Sequence, residues 1–171
     1  MPEASLRLAA TDADIALARA LFVEYAHWLQ VDLCFQGFDR ELAALPGAYA
    51  PPHGRLLLAG GPGAAFGCIA LRPLARIEAA GAGASAALAA PSIGEVKRLY
   101  LQPAHRSGGW GRRLAEALIA DARAIGYREL KLDTLDWMTD ARRLYARLGF
   151  RECVAYYDNP LPGVVYMTLA L

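Results

Sequence analysis

HRSGGWGRRLAEALIADARAIG, residues 105–126, joins a glycine-rich turn to an amphipathic run, and its reading decides the fold. Gly108, Gly109 and Gly111 surround Trp110, with Arg106, Arg112 and Arg113 on either side. From Leu114 the apolar residues recur at steps of three and four, which predicts a helix over 109–125 ended by Gly126. Just before the turn, GEVKRLYLQP (94–103) is strand-like, with Val96, Arg98 and Tyr100 on one face and Lys97, Leu99 and Leu101 on the other. A strand that passes through such a turn into a helix makes an anion site. The first helical N–H groups lack partners, the helix dipole adds partial positive charge, and glycine lets the backbone approach a phosphate. By spacing alone the turn suits a nucleotide, a free phosphate or a plain connector.

The elements around it follow from period and punctuation. SLRLAA (5–10) alternates as a short strand. A helix is predicted over 12–30, with Thr11 as N-cap and Ile15, Ala18, Phe22, Tyr25 and Leu29 as its apolar stripe. FDRELAALPG (38–47) reads as a short helix stopped by Pro46 and Gly47. RLLLAG (55–60) and AAFGCIALRPL (64–74) form a hairpin pattern around GPG. Residues 75–92, nearly all Ala, Gly and Ser, read as a mobile insertion between strands. Then come a strand at 127–135, a helix at 139–150 closed by Gly149, and two final strands, CVAYY and VVYMTLAL. This order predicts an α/β (α+β) fold. A mixed, mostly antiparallel sheet carries helices on both faces, and 95–135 forms a right-handed parallel crossover. No repeat or boundary divides the chain, so 1–171 reads as one domain.

Bulk properties exclude several classes. No stretch reaches the roughly 18 uninterrupted apolar residues of a membrane span. The N-terminus has an early acid and no long apolar core, and so does not read as a signal peptide. Cys34, Cys68 and Cys153 are too scattered for a metal site or a disulfide framework, and read as core thiols of a cytoplasmic protein without metal. The net charge of +1 is unevenly spread: 95–151 hold 12 Lys/Arg against 7 Asp/Glu, the rest 6 against 10. That balance, without interleaved aromatics, speaks against nucleic acid as a partner. The exposed edges of a mixed sheet leave a homodimer open.

Two familiar phosphate motifs fail. No Lys-Ser or Lys-Thr follows the glycines, as a Walker turn requires, and the dinucleotide fingerprint would find Leu114 at its third glycine. A third pattern fits. EVKRLYLQPAHRSGGWGRRL resembles the coenzyme A-binding segment of the GNAT family, the GCN5-related N-acetyltransferases, through Arg106, Gly109 and Gly111 after Leu101-Gln102-Pro103. ARRLYARLGF (141–150) is similar to the A-x-x-L-Y-x-x-x-G-F helix of the same family, and the element order is the family's own. Ser107 stands where a glycine is frequent, Met138 where many members have Asn, and Trp110 where a small aliphatic is common.

The resemblance implies acetyl-CoA as donor and an amine as acceptor. The main-chain N–H groups from Arg106 through Ser107, Gly108, Gly109, Trp110 and Gly111 to Arg112 would bind the pyrophosphate. The strand at Leu99, Tyr100 and Leu101 would pair with the pantetheine arm in a gap opposite 130–134, and the N–H of Leu99 or Leu101 would face the thioester oxyanion. Tyr145 matches the family's general acid, and Glu95 would accept the amine's proton, directly or through water. His105 reads as an exposed loop residue, His27 and His53 have no partner spacing, and Asp133 and Asp136, flanking a strand end, read as surface or substrate-side charges with no firm role. Tyr25, Trp28, Phe35, Gln36 and Phe38, with Glu24, Asp32 and Asp39 nearby, suggest an acceptor wall for a small cationic amine or amino-acid derivative. The expected activity is direct acetyl transfer to a primary amine. The alternative is an acyl-CoA-binding sensor without catalysis.

Overall fold

The computed structural model describes residues 4–74 and 91–171, so most of the Ala/Gly/Ser insertion predicted at 75–92 lies outside the described residues. The chain runs β1 (Ser5–Leu8), α1 (Asp12–Leu29), α2 (Phe38–Ala44), β2 (Arg55–Gly60), β3 (Gly67–Pro73), β4 (Ile93–Leu101), α3 (Trp110–Ile125), β5 (Glu129–Leu135), α4 (Thr139–Arg147), β6 (Arg151–Cys153) and β7 (Val164–Ala170). The strands form a mixed sheet in the order β1-β2-β3-β4-β5-β7-β6. Among the described residues only β4 and β5 pair in parallel. The sheet edges are the two shortest strands, β1 and β6. No helix among the described residues is long and apolar enough to cross a membrane.

Alternation along the strands builds a core on each face. Leu57, Ile69, Leu71, Val96 and Leu130 pack beneath Leu114 and Leu118 of α3 and Tyr145 of α4. Leu56, Leu58, Cys68 and Tyr100 face the other way, against Phe22 of α1 and Tyr49. Burying each Leu or Phe contributes about 1.5–3 kcal/mol. A capping box fixes the start of α1. Thr11 Oγ1 accepts from the Asp14 N–H at 3.1 Å, and Asp14 Oδ2 accepts from the Thr11 N–H at 3.4 Å.

The element that shapes the site is a bulge in β4. Cys68 pairs with Tyr100 and Ala70 with Lys97, so three steps of β4 oppose two of β3. Arg98 takes up the extra residue at φ 59°, a left-handed conformation costing roughly 1–2 kcal/mol for a residue with a Cβ. The bulge overturns the simple alternation expected for this strand. Val96, Leu99 and Leu101 point to the α3 side, whereas Lys97, Arg98 and Tyr100 do not. The parallel ladder stops in the same region. Ile93, Gly94 and Glu95 pair with Glu129, Leu130 and Lys131, after which the two strands part. β5 itself continues, held by β7 as far as Leu135↔Val164.

The end of the chain also departs from the pattern. CVAYY is not a strand beyond Cys153, and Val154 is 84% exposed. Tyr156 and Tyr157 instead turn back over the sheet, because buried carboxylates wait there for their hydroxyls.

Candidate active site

The glycine turn is built as an open helix start. After a short 3-10 turn at Pro103–His105, Gly109 sits at φ 73° as the N-cap of α3, and no side chain among the described residues caps the helix. The first helical bond is Arg113 N–H to Gly109 O at 3.1 Å, which leaves the first-turn amides of Trp110, Gly111 and Arg112 without a capping side chain. Packing holds the turn in this shape. The Trp110 ring stands edge-on to Phe66 at 5.1 Å, and the Arg113 guanidinium lies 3.9 Å over it. Phe66 in turn stacks on His105 at 4.0 Å, so His105 is half-buried rather than an exposed loop residue, and its Nδ1 has no partner among the described residues. Arg106 Nε donates to Leu101 O at 3.0 Å, and its guanidinium covers Trp28 at 4.6 Å. Ser107 and Gly108 are exposed at the outer bend. Arg112 is spent on an exposed pair with Glu116, an interaction of little net value.

A cleft of about 410 Å³ leads inward from this turn, between Gly109, Gly111 and Leu144 on one side and Leu99, Tyr100 and Leu101 on the other. It reaches the point where β4 has left β5, so main-chain groups of β4 beyond Glu95 have no ladder partner on β5. An extended, amide-bearing arm satisfies such groups; leaving them buried and unpaired is costly. Trp28 and Trp137, with ring centroids 5.6 Å apart, wall the cleft on the α1 side.

Past the gap lies a second cavity, which Leu99, Tyr145, Lys97, Asp133, Gln36 and Asn159 help to line. Its polar wall is one connected network. Asp133 Oδ1 accepts from Lys97 Nζ at 3.2 Å, and Oδ2 accepts from Tyr157 Oη at 2.8 Å and Asn159 Nδ2 at 3.1 Å. Gln36 Nε2 donates to Tyr157 Oη, and Gln36 Oε1 accepts from Arg98 Nη1. Arg98 forms a two-pronged pair with Glu41, at 3.0 and 2.6 Å, and Glu41 also accepts from Tyr49. Burial pushes the Glu41 carboxyl up, but the hydrogen bonds and charge of Arg98 outweigh it and hold the group below its ordinary value. Tyr145 is buried against Phe150. Burial first, then the neighbouring Tyr25 and Asp133, push its phenol well above the ordinary value, so it keeps its proton at neutral pH.

Glu95 is buried rather than placed at a solvated strand end. Oε2 takes two donors of Arg72 at 2.7 Å each, and Oε1 accepts from Tyr156 Oη at 2.9 Å with Lys97 Nζ 3.8 Å away. The aromatic wall expected from α1 and α2 divides. Tyr25 and Gln36 line the inner cavity, and Trp28 lines the outer cleft. Phe35 and Phe38 border a separate shallow groove, where the Phe38 ring is already covered by Arg98 at 5.2 Å. Glu24 and Asp32 hold Gln102 and the Cys34 amide. Of the cysteines only Cys68 is a core thiol, pushed up by burial; Cys34 is exposed and Cys153 half-buried. Sequence reasoning did not anticipate Lys97, Arg98, Tyr157 and Asn159 in the site. One signal was available: two cations and one acid inside a central strand leave at least one cation that must find a buried anion elsewhere.

Comparison with known proteins agrees with this geometry. Residues 22–150 match the Acetyltransferase (GNAT) family. An uncharacterised N-acetyltransferase of Schizosaccharomyces pombe is 38% identical over 154 residues, covering 90% of this chain and 86% of that protein. The crystal structure of a GNAT-family acetyltransferase from Staphylococcus aureus superposes with a TM-score of 0.73 at 15% identity, over 98% of this chain and 99% of the other. A Salmonella typhimurium protein solved with its cofactor acetyl-CoA gives a TM-score of 0.68 at 20% identity, over 98% and 93%. The chain belongs to the GNAT family of acetyl-CoA-dependent N-acetyltransferases.

Proposed function

We propose that this protein moves an acetyl group from acetyl-CoA directly to the primary amine of a small molecule or amino-acid derivative. The observation that carries the reading is the parting of β4 from β5 after Glu95↔Lys131, with an uncapped helix start at one end of the gap and a phenol and a carboxylate at the other. The amides of the turn from Ser107 to Arg112 hold the pyrophosphate, the Arg106 N–H being given to Pro103 O instead, and β4 from Leu99 to Leu101 receives the pantetheine arm in place of β5. The N–H of Leu99 or Leu101 faces the carbonyl oxygen as it gains charge. Tyr145, kept protonated by burial, gives its proton to the departing thiolate. Glu95 and Asp133, bridged by Lys97, form the acidic end toward which the amine's proton leaves.

Direct transfer suits the cavity. None of the three cysteines lines it, and Cys68, the nearest to β4, is a fully buried, protonated thiol. The test is a panel of polyamines, aminoglycosides and amino acids with acetyl-CoA, following thiol release and the mass of one added acetyl group. Turnover with at least one amine above background hydrolysis supports the reading; binding of acetyl-CoA without transfer to any amine returns the protein to a sensor role.

A further inference from the structure

We infer that Asp133, rather than Glu95, meets the acceptor amine and takes its proton. The inference rests on the acetyl-transfer reading and names the group that receives the acceptor. Asp133 lies two residues beyond the last rung of the β4–β5 ladder, where the strands have opened. Its neighbour Leu132 packs under α3, so alternation turns Asp133 away from α3, and it lines the cavity at the strand gap that Leu99 and Tyr145 line from the α3 side. Glu95 does not line that cavity, and its side chain is 2% exposed with both oxygens engaged by Arg72 and Tyr156. Asp133 accepts three hydrogen bonds, whereas a carboxylate offers about four lone-pair positions. One position is left for an amine N–H.

The proton balance is complete. The amine nitrogen forms a bond to the thioester carbonyl carbon, the C–S bond breaks, and the nitrogen's proton passes to the Asp133 carboxylate. Tyr145 protonates the leaving sulfur. Asp133 then releases its proton to solvent, and Tyr145 regains one from it. Glu95 is a positioning residue in this scheme. It fixes Lys97, and Lys97 holds Asp133 Oδ1 from the side away from Tyr157 and Asn159.

The experiment compares Asp133→Asn with Glu95→Gln on the best amine of the panel and on the hydrazine of the same body, which needs less help to lose a proton. Asp133→Asn is expected to lower kcat for the amine by at least about 100-fold, with a markedly smaller loss for the hydrazine and an acetyl-CoA Kd within twofold of wild type. Equal losses on both acceptors, or full amine turnover in Asp133→Asn, would overturn the inference, as would the larger, acceptor-dependent loss falling on Glu95→Gln. Should Asp133→Asn not fold, Tyr157→Phe keeps the charge and frees a lone pair. It is expected to change the amine-to-hydrazine ratio, and an unchanged ratio overturns the inference. A wild-type protein that acetylates no amine removes the acetyl-transfer reading itself, an outcome separate from an active wild type matched by Asp133→Asn.

Discussion

Replacing Glu41 with Gln isolates the ion pair that lets β4 carry its bulge. Arg98 and Glu41 side chains are 3% and 10% exposed, and their two contacts at 3.0 and 2.6 Å are the main compensation for a guanidinium held in a left-handed backbone. Removing one partner of such a buried pair costs about 3–5 kcal/mol, because the other charge stays buried and unpaired. For a chain of this size that corresponds to a fall in Tm of about 6–20 °C. The assay is thermal unfolding of Glu41→Gln, Arg98→Met and the Glu41→Leu/Arg98→Met double variant. The double variant is expected to recover part of the loss, since an apolar pair removes the desolvation penalty of both charges while Tyr49 loses its acceptor and Gln36 its donor. A Glu41→Gln protein melting within about 2 °C of wild type, or a double variant as unstable as the sum of the singles, would refute the reasoning.

The same pair sets an acid limit. The folded-state carboxyl of Glu41 lies below its ordinary value of 4.5, so its stabilisation is complete above that pH and lost as pH falls further. Urea midpoints of wild type are expected to drop below pH 4.5 more steeply than those of the double variant; parallel curves would contradict this. Tyr145→Phe should lower turnover by about 100- to 10,000-fold while leaving acetyl-CoA affinity in place, which steady-state kinetics and calorimetry check together. Gly109→Ala meets no atom within 4 Å, so its cost is the backbone alone, roughly 1–2 kcal/mol for the left-handed conformation. Tm is expected to fall by about 2–8 °C, and acetyl-CoA Kd to rise by up to about 30-fold as the turn relaxes out of that conformation.

Local signals were legible where local physics decides. Thr11 announced α1, Gly126 closed α3, and RLLLAG is β2 residue for residue. The turn at 105–112 could be read because glycine positions and an uncapped helix start are properties of a few consecutive residues. What escaped the sequence depends on distant pairing. The bulge at Arg98 is a mismatch between β3 and β4, visible only once both strands are registered. It reversed the face assignment of Leu99 and Leu101 relative to Val96. The polar network of the inner cavity joins Gln36 to Tyr157 across 121 positions and brings Asn159 to Asp133. No period in the chain marks that contact. The tyrosines of CVAYY read as strand because aromatic residues favour strands; buried carboxylates on β4 and β5 redirected them.

The central claim is that β4 beyond Glu95 and the first amides of α3 are open because acetyl-CoA fills them. Amide hydrogen exchange with and without acetyl-CoA tests this most directly. Bound acetyl-CoA is expected to slow exchange at 97–101 and 109–112, with the β5 amides paired to β7 unchanged. Unchanged exchange in both segments at saturating acetyl-CoA, or protection confined elsewhere, would contradict it.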